Sequence, residues 1–170
     1  MKEHIYIAKK SRIFEQSFLI WLIAALQIFL NIITIPAFIR HNQAWAIVFI
    51  NGLFSVLTIP SIIIFLKYYK NSVGKRFIVA YDSLKFIDDK TGKVILLRNS
   101  DIVNIHLIQN IQTSRLPWCF HEYFSFIDDK GNKIIVTSYI MSISDFWLDT
   151  LARKVSSKKL TREEKAYPIF

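Results

Sequence analysis

Cys119 and His121 stand two residues apart, and the other histidines are His4, His41 and His106. Thiolate and imidazole are the usual zinc ligands, but a structural zinc site takes four of them at regular spacing. The lone C-x-H pair falls two ligands short. As nucleophile and base the same pair would share one face of a strand, yet no third group is placed to orient the base. Two acidic pairs, Asp88-Asp89 and Asp128-Asp129, invite a metal instead. They belong to a short repeat: Phe86-Ile87-Asp88-Asp89-Lys90-Thr91-Gly92-Lys93 recurs as Phe126-Ile127-Asp128-Asp129-Lys130-Gly131-Asn132-Lys133. Asp, Gly and Asn between apolar runs are turn chemistry, and the spaced acids of a calcium loop with its distal Glu are absent. No glycine-rich phosphate loop occurs. These residues predict no catalytic centre, no metal and no cofactor.

Cations carry more. Lys67, Lys70, Lys75 and Arg76 cluster within ten residues and form the best candidate for binding anionic lipid. A further candidate is the irregular stretch Gln109–His121, whose Arg115, Trp118 and Phe120, with Arg98, could meet a ligand or partner or simply pack the end of the domain.

The elements that must position these residues begin with two uncharged apolar runs, Phe18–Phe38 and Ala44–Leu66. Each exceeds the ~20 residues that cross a hydrocarbon core. Arg40, His41, Asn42 and Gln43 alone separate them, which predicts a transmembrane helical hairpin over 14–66. The rest of the chain is too small to wrap two such helices as a soluble core. Lys2, Lys9, Lys10 and Arg12 precede the first run, and the juxtamembrane cations follow the second. By the positive-inside rule both termini are cytoplasmic and the tight loop faces out, as in a bacterial inner membrane. Tyr68 and Tyr69 are placed for an aromatic belt at one interface, and Trp45 at the other. The formal charge of +9 then reads as attraction to anionic headgroups, not to a nucleic-acid polymer. One cysteine allows no internal disulfide.

Polar residues recur inside both runs. Gln27, Asn31 and Thr34 share a face of the first helix, and Asn51, Ser55 and Thr58 repeat the spacing on the second. Folding about the loop sets Asn31 level with Asn51 or Gly52, and Gln27 level with Ser55. The stripes can therefore close within one hairpin or join several chains in a homo-oligomer. Pro36 and Pro60 are placed to kink or end the helices near the two faces.

After a basic linker (67–75) the pattern turns strand-like. Strands are predicted at Arg76–Tyr81, Leu84–Asp88, Lys93–Arg98, Ile102–Ile108, Tyr123–Asp128 and Lys133–Ser138. His4–Ala8 can join them. Ser142 with Asp145 forms an acidic capping box for a helix over Ile143–Val155 that buries Trp147, Leu151 and Val155 with Phe146 alongside. This gives an α-helical membrane hairpin plus an α+β cytoplasmic domain (76–155), a small antiparallel barrel or sandwich closed by a C-terminal helix. The stretch before the hairpin (1–13) and a charged tail (156–170) flank them. The tail is predicted to be mobile, or to anchor its apolar end on a neighbour.

With Ile5-Tyr6-Ile7-Ala8-Lys9-Lys10-Ser11, the strands from Phe77 to Ser138 and the helix from Ile143, the layout resembles bacterial two-span membrane proteins carrying a pleckstrin-homology-like domain. That resemblance implies a fold and no reaction. It also implies a seventh strand, hidden in Gln109–Phe120 or supplied by the N-terminus. Three functions fit. One is a non-enzymatic membrane module whose domain binds anionic lipid headgroups or a protein partner. Another follows from a resemblance to antiphage effectors, in which a β-rich domain senses a cyclic nucleotide, here through Arg98, Arg115 and the aromatics near Trp118, and the hairpins assemble. The last is an immunity protein that meets a secreted toxin at Arg40–Gln43.

Overall fold

The structure is a computed structural model of the 170-residue chain, and it describes residues 3–41, 44–111, 116–148 and 160–170. The chain opens with a strand, β1 (His4–Ile7), and then runs into two long helices, α1 (Lys10–Arg40) and α2 (Ala44–Ser72). At 1.5 Å per residue each helix is about 45 Å long, and each is apolar enough to cross a membrane. Neither ends at its proline: α1 continues beyond Pro36 and α2 beyond Pro60. α2 also continues past Leu66 to Ser72. The predicted linker is thus helical over most of its length.

Gly74 makes the turn out of α2. Its φ is +76°, a value that costs glycine nothing and other residues much. Among the described residues seven strands follow the hairpin: β2 (Lys75–Val79), β3 (Ser83–Asp88), β4 (Val94–Arg98), β5 (Ile102–Asn110), β6 (Tyr123–Asp128), β7 (Lys133–Thr137) and, after α3 (Ile143–Leu148), β8 (Leu160–Lys165). They complete, with β1, two four-stranded sheets, ordered β1-β2-β3-β4 and β7-β6-β5-β8. The first is an antiparallel meander. The second adds β8 parallel to β5, with Ile105 opposite Leu160. The sheets pack face to face and do not close into a barrel. Phe77 stacks on Phe126 across the layers at 5.6 Å, within a core that includes Leu84, Phe124 and Ile134.

Two alternatives that the sequence leaves open are resolved. β1 pairs with β2, His4 opposite Val79 and Ile7 opposite Arg76. The missing strand therefore comes from the N-terminus, and the hairpin is inserted between the first two strands of the domain, not placed ahead of it. The tail is open in the sequence between a mobile end and an anchored one; its described residues, 160–170, form a strand and a docked end. Trp118 Nε1 donates to the Ala166 carbonyl at 2.8 Å, and its ring stacks on Tyr167. Tyr68 donates to the Pro168 carbonyl at 3.0 Å.

The capping box forms as the sequence predicts. The Ser142 backbone N–H donates to Asp145 Oδ2 at 3.0 Å, and the Asp145 N–H donates back to Ser142 Oγ at 3.2 Å. Phe146 is the buried anchor of α3, stacked on Phe124 at 4.6 Å. Leu151, Val155 and the side chain of Trp147 lie outside what the structure describes.

The hairpin is tied to the domain by more than its chain connections. Arg12 reaches the Ile140 carbonyl (3.2 Å) and Asp145 (2.9 Å). Ser138 donates to Gln16 at 2.7 Å, and Ser72 shares a buried hydrogen bond with Thr137.

Candidate functional site

The two halves of the sequence repeat become the β3–β4 and β6–β7 turns; the first lies beside the end of α2, where the Asp89 N–H donates to the Gly74 carbonyl at 2.8 Å, and the second lies beside the start of β5, where the Asp129 N–H donates to the Asp101 carbonyl at 3.0 Å. Their aspartates shape them. Asp88 Oδ1 accepts the Lys90 N–H at 3.0 Å, and Asp128 Oδ1 accepts Lys130 at 3.0 Å and Asn132 at 2.6 Å. These are Asx turns, which spend the carboxylates on backbone. Each turn then delivers its closing lysine, Lys93 or Lys133, to the wall of one polar cavity of about 280 Å³. Lys75 from β2 is the third cation on that wall, with Asn71 and Asp88 beside it.

Lys75 is the best held of the three. Its ammonium donates to Asn71 Oδ1 at 2.9 Å and sits 5.8 Å from the Phe86 ring centre. Burial pushes its pKa below the ordinary lysine value; Asp88 opposes the shift, and Lys70 and Lys90 add to it. A partly buried ammonium among other cations is short of negative charge, and an anion would supply it.

A larger groove, about 700 Å³, lies on the other side of Lys75 where the hairpin meets β1 and β2. Phe14, Trp21, Phe65 and Tyr69 form its apolar wall. Lys10, Lys75, Arg76 and Asp89 form its rim. Trp21 meets Phe65 edge-on at 5.2 Å. Arg76 pairs with Asp89 at 2.6 Å in an exposed ion pair.

The predicted cations therefore divide. Lys75 and Arg76 line cavities, whereas Lys67 and Lys70 are exposed on the last turns of α2. The sequence pattern does not single out Lys10, Lys93 and Lys133 as site residues. A signal for two of them is present, since a lysine closes each repeat.

The described members of the candidate set around Gln109–His121 are not gathered at one place. Trp118 is 1% exposed and covered by the tail, Phe120 is exposed, and Arg98 lies at the end of β4. Arg115 falls outside the described residues. The aromatic belt also divides. Tyr69 is exposed, but Tyr68 is fully buried among His121, Tyr123, Tyr139 and Phe170.

His121 is buried with Nε2 2.9 Å from the Tyr139 hydroxyl. Burial lowers its pKa to about 4, and burial raises that of Cys119. The dyad residues are thus a neutral imidazole bonded elsewhere and a thiol held protonated. Among the described residues no three His, Cys, Asp or Glu gather as a metal site.

The polar stripes meet inside one chain. Asn31 and Asn51 exchange two amide hydrogen bonds, both 2.8 Å. Gln27 donates to Asn51 at 3.3 Å and accepts from Thr58 at 3.1 Å. Thr34 instead bonds within its own helix, donating to the Leu30 carbonyl at 2.7 Å. Ser55 is half-buried on α2.

A meander of four strands packed on a second sheet and followed by a helix is the order of a PH domain. A family model described as a PH domain matches residues 5–147. The chain belongs to the PH domain family. The matched region starts in β1 and ends in α3, so it encloses the hairpin as an insertion between the first two strands of this PH domain. No curated protein and no solved structure matches the chain.

Proposed function

We propose that this protein is a non-enzymatic module of the bacterial inner membrane. Its hairpin crosses the bilayer with both termini cytoplasmic, and its PH domain binds anionic lipid headgroups at the membrane-facing end. PH domains commonly bind lipids or proteins, and the cavity chemistry supports the lipid reading. The observation that carries the reading is the polar cavity, where Lys75, Lys93 and Lys133 converge from β2 and from both repeat turns. Three cations with one carboxylate suit a phosphate-bearing headgroup. Basic residues close to an anionic surface contribute about 1 kcal/mol each.

Hydrogen exchange of the full-length protein in nanodiscs tests it. In zwitterionic nanodiscs the turns over 88–93 and 128–133 should exchange at the rate set by their own hydrogen bonds alone. With phosphatidylglycerol present they should be protected, and the triple variant K75Q/K93Q/K133Q should lose that protection. Equal exchange in both lipid compositions sinks the reading.

A further inference from the structure

Lys75 lines both cavities, so the groove beside it opens on the same cation that serves the headgroup site. We propose that the groove seats one intact anionic glycerolipid, its chain along the α1–α2 wall and its phosphate at Lys10, Lys75 and Arg76. The proposal rests on the membrane reading above and adds a bound molecule to it.

Three observations favour this occupant. First, polarity is graded along the groove as it is along a lipid. Trp21 and Phe65 lie within the uncharged helical runs, whereas Lys10, Lys75 and Arg76 lie outside them. Second, the length fits. Lys10 and Trp21 are eleven residues apart on one helix, about 16 Å, close to half of a ~30 Å hydrocarbon core. Third, the rim carries three cations against Asp89 alone, so one phosphate brings it nearer balance. The volume lies within the roughly 300–1,000 Å³ typical of small-molecule sites. A peptide would fit poorly, since its backbone polar groups would find few partners against Phe14, Trp21 and Phe65.

Native mass spectrometry of the full-length protein from mild detergent tests the proposal. The probes are phosphatidylglycerol, phosphatidylcholine and glycerol phosphate, which has the charge but no chain. One phosphatidylglycerol per chain should survive activation that strips phosphatidylcholine. V73F adds bulk to the groove wall and should reduce that adduct at least fivefold, while L53F, a similar enlargement on the exposed face of α2, should keep it. In parallel, one equivalent of brominated-chain phosphatidylglycerol should quench tryptophan emission, and W21F should remove most of that quenching. Retention of phosphatidylcholine to the same degree, or an unchanged adduct in V73F, overturns the groove as a specific site. Binding of glycerol phosphate as tight as that of the lipid also overturns it while leaving the headgroup reading intact. Failure of both anionic probes defeats the two together.

Discussion

At the residue scale, His121 shows how the domain uses its few titratable groups. Its pKa falls from 6.5 to about 4 because burial penalises the imidazolium. A histidine depressed in the folded state is protonated first in the unfolded chain. Stability is therefore full above pH 6.5, declines as pH falls from 6.5 towards 4, and levels off below that. The displacement corresponds to about 3 kcal/mol. Thermal unfolding in detergent between pH 7.5 and 4 should show this slope, and H121F should flatten it. A slope unchanged in H121F would assign the loss to other groups. Asp145 acts at lower pH. Burial alone would raise its pKa, but hydrogen bonds from Ser142 and the charge of Arg12 hold it below the ordinary range. Its contribution is present above the unfolded carboxyl value and disappears only below it.

At the element scale, the hairpin is held by its amides. Asn51 bonds Asn31 twice, Gln27 once and the Ile47 carbonyl at 2.9 Å. Because these bonds close within one chain, the amides have partners without a second copy. N51L should cost about 1 kcal/mol, since it leaves the Asn31 amide without its partner among apolar side chains. N31L/N51L should recover part of that loss, because neither amide of the pair then remains. Melting temperature measures the first effect, and native mass spectrometry should show the oligomeric state unchanged in both variants. A variant-dependent oligomer would place the stripe between chains.

The same scale shows what could be read from the sequence. The strands are short β-branched and aromatic runs separated by turn residues, so their positions were legible to within two or three residues. β8 was not. Leu160-Thr161-Arg162-Glu163-Glu164-Lys165 is largely exposed and pairs on one edge, so no buried face imprints a period on it. The seam residues were legible because helical spacing puts them on one face. The cation site was half legible. Lys75 and Arg76 follow the apolar run closely, but Lys93 and Lys133 are forty residues apart, and only the packing of one sheet on the other brings their turns to one cavity.

At the scale of the whole molecule, the pairing of β1 with β2 fixes the geometry of the hairpin independently of charge. His4–Ile7 enters α1 and Lys75–Val79 leaves α2, and the two strands are neighbours in one sheet. A folded domain therefore demands that both helix ends emerge on the same side. Arg12, Gln16 and Ser72 bind the helix ends to β7 and the segment after it, so the domain is seated on the hairpin and does not hang from it. In a Cys119→Ser background, cysteines introduced singly at Glu3 and Lys85 should react with an impermeant maleimide only from the cytoplasmic side of inverted vesicles. A cysteine at His41 should react only from the opposite side. Labelling of the Glu3 and Lys85 positions from different sides would break the β1–β2 pairing. Deleting residues 1–7 probes the same coupling. It removes β1, strips the β2 edge of its partner and uncovers one side of the core at Phe77, where Tyr6 packs at 6.4 Å. The basic residues on which the proposed orientation rests largely survive that deletion, because Lys9, Lys10, Arg12 and the cations after α2 remain. The shortened chain should insert with the same orientation but unfold its PH domain at a markedly lower temperature. An unchanged domain melting temperature would show that β1 is an accessory strand and that the hairpin is attached to the domain through β2 alone.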